Sequence, residues 1–331
     1  DISRSFDILT DLGATVVKEG EAYIVDTSSI SHTELKHSLA NKLRASIMFV
    51  GPLLARFGEV KFPHPGGCVI GAGQRPIDLF LEGFAKMGAG ISTVDNYYHL
   101  TADKLRGCEF FFTTVTVTGT ESMMMTATLA EGQTILSNCA MEPEIVALAE
   151  YLNSVGAKIS GAGTPVITIE GVAKIGGGEF TTIADRIEAG TFAIMAAATN
   201  SELTISDCRP DHLESLLAMF TKIGVPYTST ATTLTILKHG VLKALDIKTH
   251  EYPGFPTDLQ SPYTILMTQA EGMAIVHETI YDRRLLFTDM LTQMGANIIM
   301  CDPHRVVISG PTKLHGHKLT SPDLRAGIAM I

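Results

Sequence analysis

Positive charge is scarce in this chain. Its 331 residues carry 25 Lys and Arg against 35 Asp and Glu, a formal net charge of −10. That balance argues against sequence-independent adhesion to nucleic acid or to an anionic membrane face. A local cluster of arginines around a small anion stays open, because a cleft focuses its own field. Cysteine is scarce too: Cys68, Cys108, Cys139, Cys208 and Cys301. The count is odd, the spacing is wide and no CxxC pair occurs, so neither a zinc site nor a disulfide framework is indicated. No apolar run reaches the roughly 20 residues of a membrane-spanning helix. No apolar stretch follows the charged start Asp1–Phe6, as a secretory signal would require. Walker A, GxSxG and HExxH sequences are missing, and Gly71-Ala72-Gly73 lacks the spacing of a dinucleotide fingerprint. The expectation from these absences is a soluble, cytoplasmic protein with reduced cysteines, no metal and no cofactor. Cys108, Cys139, Cys208 and Cys301 are expected to be buried as small hydrophobes.

What is present is a globular composition, 45% apolar, carrying an internal repeat. A helix-like segment ends in a glycine turn and a strand five times, at Gly13, Gly88, Gly156, Gly224 and Gly295. The period is roughly 70 residues, too long for the familiar solenoids. A glycine fits there because a helix C-terminus often takes a left-handed residue. Strand pairs follow, such as Thr164–Glu170 and Thr232–Leu237. Second apolar helices come next, at Leu43–Leu54, Ser122–Ala130, Ile187–Ala198, Gln260–Ala270 and Leu324–Ile331. The unit is therefore strand–helix–strand–strand–helix–strand in some circular order. Six units in two domains would be symmetric; five are visible, with the ends incomplete. The expected boundary puts residues 1–183 in one domain and 184–331 in the other.

The copies differ in two places. The first copy has additional residues in His64-Pro65-Gly66-Gly67-Cys68-Val69-Ile70-Gly71-Ala72-Gly73-Gln74-Arg75-Pro76. The four glycines mark a solvent-facing loop, Arg75 is a cation able to lower the Cys68 pKa, and Pro76 suits a first helical position. The second difference lies at the start of the second helices. Arg44, Arg186 and Arg325 stand at helix N-termini, where the helix dipole disfavours cations. An anionic ligand or a partner carboxylate would offset them. Asp185, Asp258 and Asp323 suit capping or first-turn positions there, and Thr257 and Ser321 are candidate caps.

The segments Arg44-Ala45-Ser46-Ile47, Gly51–Gly58, Pro65-Gly66-Gly67-Cys68, Arg75-Pro76-Ile77-Asp78, Val117-Thr118-Gly119-Thr120-Glu121, Glu142-Pro143-Glu144-Ile145, Asp185–Phe192, Phe255-Pro256-Thr257-Asp258-Leu259-Gln260 and Asp323-Leu324-Arg325-Ala326 occur in order along the whole chain. Together they resemble the UDP-N-acetylglucosamine 1-carboxyvinyltransferase family. The shikimate-pathway relative lacks the Pro-Gly-Gly-Cys loop. The resemblance implies an α/β fold, a two-domain inside-out α/β barrel built from βαββαβ-like repeats. It implies transfer of the enolpyruvyl group of phosphoenolpyruvate to the 3-hydroxyl of UDP-N-acetylglucosamine, with phosphate released. By the same resemblance Cys68 is the acid, Asp258 the base, and Arg75 and Arg325 the anion-binding guanidiniums. Substrate would also meet Arg44, Pro76, Ile77, Asp78, Leu79, Thr116, Val117, Gly119, Arg186, Ile280, Arg284 and Asp323. No cofactor or metal is implied. The implied partners are the two substrates, with no nucleic acid and no membrane, on a monomer or weak homo-oligomer in the bacterial cytoplasm. The family's N-terminal Lys-Asn pair and a sixth repeat have no counterpart in the 331 residues, and Gly73-Gln74 lengthens the family's loop. A homologue that binds the nucleotide sugar without turnover is the alternative, and a shikimate 3-phosphate enzyme is a weaker one.

Overall fold

In the computed structural model, which describes residues 1–67, 76–318, 320 and 324–330, two compact units appear: residues 1–67 with 76–181, and residues 182–330. The first begins with α1 (Ile2–Leu12) and the hairpin β1 (Thr15–Glu19)–β2 (Ala22–Asp26), then α2 (His37–Ala40) and α3 (Val50–Phe57). β3 (Glu59–Pro63), α4 (Asp78–Lys86), β4 (Gly90–Val94) and β5 (Tyr97–Thr101) follow, the strands ordered β3-β5-β4. Next come β6 (Glu109–Phe111), α5 (Val117–Ala127), β7 (Gln133–Ser137), α6 (Pro143–Ser154), β8 (Lys158–Ser160) and β9 (Val166–Glu170), in the order β6-β7-β9-β8.

The second unit repeats the scheme. It holds α7 (Arg186–Ala198), β10 (Leu203–Ser206), α8 (Glu214–Ile223), β11 (Tyr227–Ser229) and β12 (Thr233–Ile236), ordered β10-β12-β11. Then come β13 (Ile247–Lys248), α9 (Gln260–Met267), β14 (Gly272–His277), α10 (Thr288–Gln293), β15 (Asn297–Asp302), β16 (Arg305–Gly310) and α11 (Leu324–Ala329), the strands ordered β13-β14-β16-β15. β6 and β13 are the sixth element of the unit. Each pairs in parallel with the strand beyond the next helix, so the unit runs βαβαββ, with one strand and then three between successive helices, where the expected strand–helix–strand–strand–helix–strand order put two and two. Two or three residues are too short for a pattern, which is why the sequence did not place them.

The repeat glycines act as expected. Gly13, Gly88, Gly156, Gly224 and Gly295 all have φ between 94 and 112°. After each, the next N–H reaches back five residues to a helix carbonyl: Ala14 to Leu9, Ala89 to Phe84, Ala157 to Leu152, Val225 to Phe220 and Ala296 to Leu291, at 2.9 or 3.0 Å. This is the Schellman closure of a helix end.

The two helix sets differ in burial, and that makes the architecture inside-out. α1, α4 and α8 bury one stripe, for example Leu216, Leu217, Phe220 and Ile223. α5 buries Gly119, Thr120, Ser122, Met123, Met124, Thr126 and Ala127, which cover more than half of its circumference, and its remaining residues are half-buried with none exposed. A helix that is buried all round needs small or apolar residues throughout. In the first unit α3 packs on α5; in the second α7 and α11 pack on α9. Met123 and Met124 each contribute about 1.5–3 kcal/mol by burial.

Several elements differ from the sequence reading. Leu43–Leu54 is not one helix: Arg44–Phe49 is a 3-10 turn and the α-helix begins at Val50. Pro76 is not a first helical residue; α4 starts at Asp78 behind Ile77. The second helix of the next copy starts at Val117 rather than Ser122, because the Thr116 side chain caps it.

Candidate functional site

Two segments of the second unit converge on one carboxylate. Phe255-Pro256 leads into a 3-10 turn, Thr257–Leu259, which opens α9. β14 ends at His277, and Glu278 to Arg284 fold back beside that turn. Arg284 donates from Nη2 to Asp258 Oδ1 at 2.8 Å and from Nη1 to Thr257 Oγ1 at 2.7 Å. Arg325, in the first turn of α11, donates from Nε to Asp258 Oδ2 at 3.2 Å. Each Asp258 oxygen thus holds one guanidinium.

Burial pushes the Asp258 carboxyl upward, and the two arginines outweigh it, so its pKa lies below the ordinary carboxylate value. The side chains keep unequal contact with water: Arg284 is 1% exposed, Arg325 28% and Asp258 35%. Arg284 is a fixed part of the protein, with its guanidinium over the Tyr281 ring at 5.2 Å. Arg325 keeps part of its side chain in contact with solvent. The cation at this helix N-terminus is therefore offset by a carboxylate, the second of the two offsets the sequence allowed.

The capping expectation divides. Asp185 caps α7, accepting from the Ile187 and Glu188 N–H groups at 2.8 and 2.9 Å. Arg186 behind it lies over the Tyr252 ring at 5.5 Å. Thr257 is not a cap. Its hydroxyl accepts from Arg284 and donates to Glu278 Oε2 at 2.8 Å. Asp258 is not a cap either, since both its oxygens face arginine, but it stands in the first turn as expected.

The first unit supplies a different arrangement. Arg44 Nη2 donates to the Pro76 carbonyl at 2.8 Å. The Gly66 and Gly67 N–H groups donate to the Ala40 and Asn41 carbonyls, both at 3.2 Å. A Cβ at Gly66 would stand 1.6 Å from Asn41 O, and one at Gly67, where φ is +91°, 2.7 Å from Arg44 N. The chain on both sides of residues 68–75 is thus held against residues 40–44. Ile77 is buried, Leu79 half-buried and Asp78 exposed. Thr116 Oγ1 accepts from the Gly119 N–H at 3.2 Å, so Thr116, Val117 and Gly119 form the start of α5. In the second unit Ile280 N–H donates to Glu278 Oε1 at 2.8 Å. Cys68, Arg75 and Asp323 lie outside the described residues, as does Ser321.

On α5, burial first and then Glu144 and Glu142 push Glu121 up to about 7. Its folded pKa exceeds the unfolded one, so the protonated form stabilises the fold. That contribution is complete below about 4.5 and lost as pH rises through about 7. We expect Glu121→Gln to melt above the parent protein at pH 8, the gap closing toward pH 5 in thermal scans. A constant gap across that range would exclude titration of Glu121 as its source.

The cysteines need one correction. Cys139 and Cys208 are buried and Cys108 is half-buried, but Cys301 is exposed. It sits on β15, the edge strand, whose residues alternate outward and inward. The apolar run around it hides that alternation. Burial pushes Cys139 up to about 12 and raises Cys108 and Cys208 too. Among the described cysteines, brief iodoacetamide treatment followed by peptide mass mapping is expected to label Cys301 first.

Sequence reasoning missed Glu278, Thr249 and the linking role of Thr257. The available signal was an acidic residue ending the apolar strand Gly272–His277.

The family described as EPSP synthase (3-phosphoshikimate 1-carboxyvinyltransferase) matches residues 1–331. A UDP-N-acetylglucosamine 1-carboxyvinyltransferase of Solibacter usitatus is 44% identical over 333 aligned residues, covering 100% of this chain and 79% of the relative. One from Bdellovibrio bacteriovorus is 43% identical, covering 100% of this chain and 80% of the relative. Among solved structures, the enolpyruvyl transferase NikO from Streptomyces tendae aligns with TM-score 0.87 at 21% identity, covering 99% of this chain and 78% of that one. An EPSP synthase from Acinetobacter baumannii aligns with TM-score 0.68 at 16% identity, covering 99% and 79%. The structural likenesses are of fold.

Proposed function

The chain belongs to the UDP-N-acetylglucosamine 1-carboxyvinyltransferase family of enolpyruvyl transferases, and on that premise we propose that it moves the enolpyruvyl group of phosphoenolpyruvate onto the 3-hydroxyl of UDP-N-acetylglucosamine. The carrying observation is Asp258, a carboxylate kept ionised by Arg284 and Arg325 with a third of its side chain open to solvent.

The reaction needs one proton removed and one delivered. As the sugar oxygen bonds to C2 of phosphoenolpyruvate, its proton passes to Asp258, and C3 gains a proton from Cys68. The adduct then loses phosphate from C2 and a proton from C3, which restores the double bond in the product ether. A carboxylate with a depressed pKa is a weak base. An arriving phosphate or carboxylate attracts Arg325, the more exposed of its two partners, and Asp258 becomes more basic as that guanidinium leaves. Arg75 and Arg325 are the guanidiniums for the substrate anions, with Arg44 and Arg186 in support. The nucleotide sugar meets Pro76–Leu79, Thr116, Val117, Gly119, Ile280 and Asp323, while Arg284, its side chain 1% exposed, serves the sugar only by holding Asp258. On this reading the chain acts in the bacterial cytoplasm as a monomer or weak homo-oligomer. It performs the first committed step of peptidoglycan synthesis, on which cell shape and division depend.

The test is phosphate release measured with each substrate alone and with both. Release only with both is expected. Calorimetric binding of UDP-N-acetylglucosamine with no release under any condition would overturn the transferase reading and leave a binding protein. Fosfomycin, a cysteine-directed inhibitor, is expected to add one mass increment on the Cys68 peptide; labelling of Cys301 alone would remove Cys68 from the scheme.

A further inference from the structure

Glu278 is fully buried, yet no guanidinium or ammonium touches it among the described residues. Its carboxylate is met instead by four donors from two directions. Oε2 accepts from Thr257 Oγ1 at 2.8 Å. Oε1 accepts from Thr249 Oγ1 at 3.1 Å and from the backbone N–H groups of Ile280 and Tyr281 at 2.8 and 3.1 Å. The Thr249 oxygen also accepts from the Thr279 N–H at 2.8 Å, closing the turn. A buried carboxylate is costly unless such donors satisfy it, so a residue this enclosed has to be accounted for.

The direction of each bond supplies the account. A hydroxyl has one proton. Thr257 gives that proton to Glu278, which leaves only oxygen lone pairs facing Arg284. Arg284 Nη1 donates to that oxygen, and the planar fork of the same guanidinium aims Nη2 at Asp258 Oδ1. A negative charge at Glu278 therefore fixes the hydroxyl, the hydroxyl fixes Arg284, and Arg284 fixes Asp258. On its other oxygen the same carboxylate fixes the backbone at Ile280 and Tyr281.

We propose that Glu278 is the positioning residue of this site, orienting Asp258 through Thr257 and Arg284 while holding the Ile280–Tyr281 backbone with the same carboxylate. This rests on the reading of Asp258 as the base. Thr257→Val keeps the shape of the side chain and removes only the hydroxyl link, leaving the Ile280 turn intact. It is expected to lower kcat by on the order of tenfold or more, as misplacement of a catalytic group does, while the calorimetric Kd for UDP-N-acetylglucosamine stays within about twofold. Thr257→Ser restores the hydroxyl and is expected to restore kcat. Glu278→Gln puts an NH2 against either the Thr257 hydroxyl or the backbone N–H pair, so it is expected to lower kcat and weaken sugar binding together.

A folded Thr257→Val protein with unchanged kcat overturns the proposal, and so does a loss that Thr257→Ser does not repair. Asp258→Asn measured alongside separates the two ideas. If it is inactive while Thr257→Val is fully active, the relay fails and the base stands; if it is active, the base assignment itself fails. Should Glu278→Gln not fold, the Thr257 pair still decides.

Discussion

Asp258→Asn is expected to lower the rate of phosphate release by about 10²–10⁴-fold, the range over which general acid–base groups act. The substitution is nearly isosteric. The amide oxygen can still accept from Arg284, but the amide nitrogen then meets Arg325 Nε, which is also a donor. The fold should feel this. Removing one partner of a fully buried ion pair costs about 3–5 kcal/mol, and the 35% exposure of Asp258 reduces that figure. A lower melting temperature with a retained circular dichroism spectrum is therefore expected with the loss of rate. Activity within threefold of the parent would remove Asp258 from the chemistry. The sign of the acid dependence is also fixed. Its folded pKa is depressed, so the stability it contributes is present above the unfolded carboxylate value and lost as pH falls through the lower folded one. Acid titration of Asp258→Asn should show less destabilisation below about pH 4 than the parent chain.

Gly66→Ala is expected to be severe for a different reason. The added methyl would lie 1.6 Å from Asn41 O and 2.2 Å from Asn41 C. Both are backbone atoms, which cannot rotate away as a side chain end could. Either the strut formed by the Gly66 and Gly67 N–H bonds to Ala40 and Asn41 breaks, or residues 40–44 move with it. Arg44 belongs to that segment and holds the Pro76 carbonyl, so the far side of residues 68–75 is released too. A loss of about 3 kcal/mol or more is expected, or about 6–12 °C in melting temperature for a unit of this size. Enolpyruvyl transfer should fall more steeply than stability does, because Cys68 follows directly. Gly177→Ala is the control. Nothing lies within 4 Å of its added methyl, and at such a site the change is neutral or stabilises by about 0.4–1 kcal/mol through the unfolded chain. Equal melting temperatures for the two variants would show that the Gly66 contact yields without cost.

Much of the architecture was legible in the sequence because its signals are short-ranged. A glycine after an amphipathic stretch announces a helix end, and the bond that closes it spans five residues, as from Ala14 to Leu9. Asp185 before an apolar helix announces a cap, and its bonds reach only two and three residues. Repetition multiplied each weak signal by five. β6 and β13 escaped because a strand of two or three residues is defined by its partner and has no period of its own. Cys301 was misjudged for a related reason. Apolar neighbours indicate burial only if the strand has a covered face, and β15 lies at a sheet edge.

The candidate site was less legible. Arg325, Asp258 and Thr257 could be picked out as unusual helix starts, and the resemblance added roles. Their partners could not be read, because Asp258 meets Arg284 across 26 positions of sequence and Arg325 across 67. Glu278 joins Thr249 and Thr257 across 29 and 21 positions. The sequence by itself determined where helices stop, which of them form the second, apolar set, and that the chain is a repeat. Only the tertiary structure decided that Thr257 links two charges instead of capping a helix. A hydroxyl can serve either purpose, and what decides is which donors and acceptors folding brings within 3 Å of it.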